Sequence, residues 1–271
     1  MSDRQPTRFP LDPPASDVKM PVLFVGHGSP MNAIEENGFS RAWADAAESI
    51  PRPRAVLCVS AHWETDGTLV SASERPGTIH DFFGFPRPLF EVSYPAPGAP
   101  ELARLIVETV RGARVRPDPD RGLDHGAWSV LRRMYPEADI PVVQLSLDRA
   151  KGPAFHYELG KELAVLRREG VLIVGSGNIV HNLGEIVRED TAYDWAVEFD
   201  ETVMRLILSE GHDAIVRYPD LGRAARLSVP TNEHFLPLLY VLALQDEGEG
   251  IRFFADRVTL GSISMRSLRI G

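Results

Sequence analysis

The sequence predicts an α/β fold, a single domain whose mixed central sheet is flanked by helices. Three observations carry this. Short apolar runs at 22–25, 55–60, 142–147 and 171–176 alternate with stretches of helical character. Continuous apolar runs of that length belong to strands covered on both faces. The chain has 271 residues, 44% hydrophobic and 25% charged, a composition that suits one sizeable core. No repeat, low-complexity tract or clear domain boundary divides it, so 20–271 is expected to be one domain and 1–19 a loosely ordered arm.

Taken in order, a strand at 22–25 leads to a helix at 39–49, then to the apolar run 55–60 and a further strand at 69–72. Residues 74–100 are rich in Pro, Gly and aromatics and predict a long ordered loop. A helix at 100–110 precedes a short strand near 113–116. A helix at 127–135, a strand at 142–147 and a helix at 154–169 follow. The strongest strand, VLIVGS, lies at 171–176. Helices at 194–209 and from about 233 to 244, then strands at 251–254 and 262–268, complete the chain. Alternation of this kind gives a layered sheet, mixed near its end.

Composition excludes several classes. The net charge of −9 argues against nucleic acid or an anionic membrane surface as partner. No apolar stretch approaches the ~20 residues of a membrane span. The N-terminus has no hydrophobic core of a secretory signal, so a cytoplasmic protein is expected. The single cysteine, Cys58, excludes an internal disulfide and reads as a small core residue.

The histidines carry the chemistry. Five of the eight sit in distinctive contexts: GHGSP (His27), SAHW (His62), LDHGAW (His125), GSGNIVHN (His181) and NEHF (His234). The first two follow apolar runs directly, His125 precedes a helix, His181 comes just past VLIVGS, and His234 opens a helix. Ligands of open α/β sheets bind outside the carboxyl ends of the strands. Three strands releasing a histidine at that edge point to a site rather than to packing. His156, on a charged helical stretch, and His212, in a turn, read as solvated; His80 lies in the aromatic loop and is a candidate pocket residue.

Several neutral imidazoles together suit Zn, Fe, Cu or Ni. A structural zinc site would draw on cysteines at short spacing, and the chain has one. Donors spread over more than two hundred residues need the fold to assemble them, a pattern of catalytic metals with an open position. A metal-free reading, with the histidines acting as acid/base groups, stays open at this point.

The five motifs GHGSPM, SAHWE, LDHGAW, GSGNIVHNL and EHFLPLLYV resemble, in order from about Met20 to the C-terminus, the class III (LigB-type) extradiol ring-cleavage dioxygenases, and most of all their DODA-type branch. The resemblance implies one non-haem divalent metal, Fe(II) for activity or Zn(II) as isolated. It implies a catechol-type, DOPA-like substrate, opened with dioxygen to a semialdehyde by a monomer or homodimer. It carries over as metal ligands His27, His62 and His234. His181 matches a residue that is a ligand in zinc-bound members and the acid/base group in the wider family. His125 matches a second active-site histidine facing substrate or dioxygen. The usual ferrous triad contains a carboxylate; here Glu233 stands beside His234. On a helix such neighbours point about 100° apart, which favours His234 alone.

Around these residues, Ser176 and Asn178 are candidates to place a ligand or water, or are turn formers. Trp63, Phe82, Phe83 and Phe85 are candidates for the pocket wall or the core, and Tyr94 and Arg87 for the substrate's polar tail. Two other functions remain open: a zinc hydrolase using the same histidines, and a non-catalytic binding relative.

Overall fold

A computed structural model describes residues 19–189 and 191–271. The arm expected at 1–19 falls almost entirely on 1–18, outside the described residues. The strands are β1 (Val22–Gly26), β2 (Ala55–Thr65), β3 (Leu69–Ser71), β4 (Arg116–Asp118), β5 (Val142–Asp148), β6 (Val171–Gly177), β7 (Ile251–Phe254), β8 (Val258–Thr259), β9 (Ile263–Ser264) and β10 (Ser267–Ile270). Eight form one sheet in the order β4-β3-β5-β2-β6-β1-β10-β7, and β8 pairs with β9. The four central strands, β5, β2, β6 and β1, run parallel, so their carboxyl ends share one edge. Antiparallel pairing occurs at both flanks, β10 on β1 and β3 on β5, not near the chain's end alone.

Alternation along each central strand sorts side chains between two apolar clusters. Val22 and Phe24 of β1, Leu57 and Val59 of β2, and Ile173 of β6 face one. Leu23 and Val25, Val56, and Leu172 and Val174 face the other. This is the period-2 geometry of a strand covered on both sides. Helices α1 (Gly38–Glu48), α2 (Arg87–Phe90), α3 (Pro100–Thr109), α4 (His125–Met134), α5 (Pro153–Glu162), α6 (Ala164–Arg168), α7 (Asp194–Leu208), α8 (His212–Val216), α9 (Arg223–Ser228) and α10 (Leu236–Leu242) supply the covering layers. Helices α1 and α4 bury Trp43, Trp128 and Leu131 in the second cluster. Helices α3, α5, α7 and α10 pack into the first.

Several boundaries differ from expectation for local reasons. The helix expected at 154–169 is two: Leu163 N–H bonds the Gly160 carbonyl, three residues back, and interrupts the four-residue ladder. The last long helix starts at Leu236, because Pro237 suits the first turn, where its missing N–H costs nothing. His234 therefore lies in the turn before α10, and His125 is the first residue of α4 instead of preceding it. The short strand near 113–116 is β4, a few residues later, and 262–268 divides into β9 and β10. The long loop contains the single turn α2.

His156 is not solvated. It is fully buried, its Nδ1 lies 3.0 Å from the Tyr240 hydroxyl, and burial pushes its pKa down to about 4. His212 is half-buried at the start of α8 and pairs with the Tyr157 hydroxyl at 3.0 Å. Cys58 is buried, and desolvation raises its thiol pKa. Among the described residues, no helix is long and apolar enough to cross a membrane.

Candidate metal centre

The parallel strands deliver the site. Val25 and Gly26 pair with Ser176 and Gly177, which places His27 at the carboxyl end of β1. His62 sits near the end of β2 in an irregular stretch: Val59 pairs with Leu145 and Glu64 with Leu147, so β2 carries extra residues that β5 does not match. Such a bulge re-aims side chains at a sheet edge. His181 follows β6, and Arg149 follows β5. His234 reaches the same edge because the Asn178 N–H donates to its carbonyl, and a Cβ on Gly177 would lie 2.1 Å from that oxygen. Glycine is required at 177. It is also favoured at 28, where φ is +55°.

Donor nitrogens of His27, His62 and His234 lie within 4.8 Å of one another. The tautomers of two follow from their partners. The Ser176 hydroxyl donates to the Gly126 carbonyl at 2.6 Å, so it accepts from His27 Nδ1 at 3.0 Å. That leaves His27 Nε2 without a proton while the ring is neutral. Glu233 Oε1 accepts from His234 Nδ1 at 2.9 Å, and His234 Nε2 is buried with no partner. His62 Nε2 stands 3.1 Å from His27 Nε2. Two nitrogens bound to one zinc at ~2.0–2.1 Å in tetrahedral geometry sit about 3.3 Å apart, so this donor set fits a divalent ion.

Electrostatics agree. Burial, then the neighbouring histidines, hold His27 and His234 well below the usual histidine range. Burial, then His125, brings His62 to about 4, against the pull of Asp124, Asp81 and Glu233. Burial brings His181 to about 4 against Glu233. The four rings are therefore neutral at pH 7, the state in which imidazole binds metal.

His181 and His125 flank this trio. The His181 ring stacks on His234 with centroids 3.4 Å apart and planes 8° from parallel, so the in-plane lone pairs of the two rings run side by side rather than converging. His125 lies over His62, centroids 3.9 Å apart. An open cavity of about 540 Å³ contacts His62 and His234 and is lined further by Ala61, Glu64, Asp81, Arg149 and Glu233.

Glu233 is no helical neighbour of His234, so the expected 100° separation does not apply; the two side chains are hydrogen-bonded partners. A carboxylate on the far ring nitrogen fixes the tautomer and raises ligand basicity. Glu233→Gln is expected to weaken metal affinity by about 10- to 100-fold without abolishing binding, read by competition with a chelator. Unchanged affinity would remove Glu233 from this role.

Other candidates find other places. Ser176 orients His27, whereas the Asn178 side chain donates to the Ser264 carbonyl and is structural. Phe82 lies edge-on to His125 at 5.5 Å, and Phe85 packs against Phe82. Phe83 is 93% exposed and Trp63 is in the core. His80 pairs with the Val92 carbonyl beside Trp128. Tyr94 is buried with its hydroxyl on the Tyr135 carbonyl, and Arg87 is exposed and paired with Glu91; neither lines the cavity. Sequence reasoning missed Asp124, Asp81 and Arg149. Asp124, fully buried, caps α4 and takes hydrogen bonds from Ser60, Gln144 and Arg121; a cap directly before a helix was the available signal. Arg149 had the strand-end signal of β5.

Comparison with known proteins gives the family. Residues 21–260 match the family described as the catalytic LigB subunit of aromatic ring-opening dioxygenase. The chain is 47% identical over 262 residues to a protein of Escherichia coli K12 named 4,5-DOPA dioxygenase extradiol, covering 94% of this chain and 96% of that one. Proteins of the same name from Beta vulgaris (41% over 225 residues; 80% and 84% covered) and Portulaca grandiflora (37% over 258 residues; 90% and 94% covered) are also similar. A crystal structure of an uncharacterized Escherichia coli K12 protein superposes with a TM-score of 0.82 at 44% identity, over 93% of this chain and 100% of that chain. The chain belongs to the LigB family of aromatic ring-opening dioxygenases.

Proposed function

We propose that residues 20–271 form one extradiol dioxygenase unit that opens a catechol with a charged, DOPA-like tail to a semialdehyde, using a metal held by His27, His62 and His234. The observation that carries this is the convergence of three imidazoles, two whose hydrogen-bond partners leave Nε2 without a proton, beside an open cavity at the carboxyl edge of the parallel strands. Ferrous iron bound there would supply the reactivity toward dioxygen and a Lewis acid for the catechol oxygens, whereas zinc suits the same donors as a resting ion. His181 takes the proton released as the catechol binds, and its stacking on His234 places it beside the metal trio. Coordination by His181 to resting zinc requires its ring to tilt off His234. His125 stands on the opposite flank and returns a proton as the ring opens. Phe82 walls the His125 side against water.

The tail is read by charge. Arg149 bonds the Glu64 carbonyl and pairs with Asp66, leaving donors for a substrate carboxylate. Glu64 and Glu233 are close enough that Glu233, after burial, raises the Glu64 pKa; an ammonium group between them relieves that repulsion. The relatives named for DOPA cleavage support this substrate class. We place the protein in the cytoplasm, as a monomer or homodimer, without nucleic-acid or membrane partners. The test is semialdehyde formation by the iron-loaded protein across a catechol panel. Catechols with an amino-acid tail are expected to show the lowest KM. Arg149→Ala is expected to raise that KM about tenfold, the worth of one charge-assisted hydrogen bond, and to leave plain catechol unchanged. Equal effects on both substrates would dismiss Arg149 as a tail reader; no ring opening of any catechol would dismiss the function.

A further inference from the structure

We infer that Asp81 is the positioning residue for His125, holding its ring in the Nδ1–H tautomer so that Nε2 is the atom that meets substrate. Asp81 lies in the aromatic loop, in the sequence HDFFGF, and no metal-site pattern marks it. One of its oxygens, Oδ1, accepts two hydrogen bonds from the same residue: the His125 main-chain N–H at 2.9 Å and His125 Nδ1 at 3.0 Å. The main-chain N–H is one of the donors that the start of α4 leaves without a helical partner. An ionised carboxylate only accepts, so the ring nitrogen facing it must carry the proton, and neutral His125 has a bare Nε2. One side chain thus fixes both the backbone position and the ring orientation of His125.

The other oxygen, Oδ2, is 3.7 Å from His62 Nδ1, beyond a direct hydrogen bond. Donor atoms of His62, Asp81 and His125 also fall within 4.8 Å of one another. Within that grouping Oδ1 and His125 Nδ1 are engaged with each other. The same loop places Phe82 edge-on to His125, so the loop that builds the pocket wall also sets the histidine beneath it.

This inference rests on the reading of His125 as a proton-handling group, and its test separates the two. In 15N-labelled, metal-free protein, imidazole correlation spectra are expected to show wild-type His125 protonated at Nδ1. In Asp81→Ala the ring is expected to move to the Nε2–H tautomer that free histidine prefers. The iron-loaded variant is expected to keep its metal and its KM while kcat falls by about 100-fold or more. Asp81→Glu, which restores a carboxylate, is expected to recover part of both signatures. Asp81→Ser, whose hydroxyl is too short to reach Nδ1, is expected to behave as Asp81→Ala does and serves if the alanine variant fails to fold. An unchanged His125 tautomer in the Ala or Ser variant overturns the inference. So does an unchanged kcat, and so does loss of metal, which would make Asp81 part of the metal shell. The spectra are read without metal or turnover, so they decide the positioning claim even if no catechol is opened.

Discussion

His27→Ala is expected to lose its bound metal and, with it, ring opening. His27 is 1% exposed, its Nδ1 is fixed by Ser176, and its Nε2 faces the Nε2 of His62. Losing a partner of a ligand typically weakens metal binding by about 10- to 100-fold, so loss of the ligand itself should exceed that. His62→Ala and His234→Ala should do the same, for the same convergence of donors. Metal content by elemental analysis after dialysis, alongside circular dichroism to show that the fold persists, checks this. Full occupancy in any one of the three variants contradicts its assignment as a ligand.

His125→Ala and His181→Ala are expected to separate chemistry from metal binding. Each should retain iron while turnover falls by about 100- to 10,000-fold, the usual worth of a placed acid or base. The pH profile assigns the roles. A base must be unprotonated, so activity is lost as pH falls through its pKa. Burial shifts His181 from the ~6.5 of a free histidine to about 4, so the acidic limb should lie well below ~6.5 and disappear in His181→Ala. A limb that persists in that variant while iron stays bound gives the base role to another group. Unchanged metal affinity and unchanged turnover in His181→Ala would remove this residue from the reaction.

The central sheet was legible because strands buried on both faces must be continuously apolar, as VLFV, AVLCVS and VLIVGS are. The edge on which the candidate site lies was legible for the same reason: parallel strands share a carboxyl end, and His27 and His181 come after two of them while His62 lies near the end of a third. Features fixed by contact across the chain were not. The side-chain chemistry of His156 suits solvent, and its burial is accompanied by pairing with Tyr240, 84 residues away, which local sequence does not show. The relation of Glu233 to His234 could not be read from helical spacing, because a proline two residues inside α10 moves both into a turn. Asp81 reaches His125 from a loop 44 residues earlier, and nothing in its local sequence announces this.

The most direct test of a metal-dependent ring-opening site built on His27, His62 and His234 is dioxygen uptake with a catechol, measured in parallel on metal-free, zinc-loaded and iron-loaded protein. Uptake of one dioxygen per catechol, with semialdehyde absorbance rising in step, is expected for the iron-loaded protein alone. An iron-loaded protein that takes up no dioxygen, beside a zinc-loaded form that hydrolyses a test ester, would contradict it and make the same three histidines a hydrolytic site.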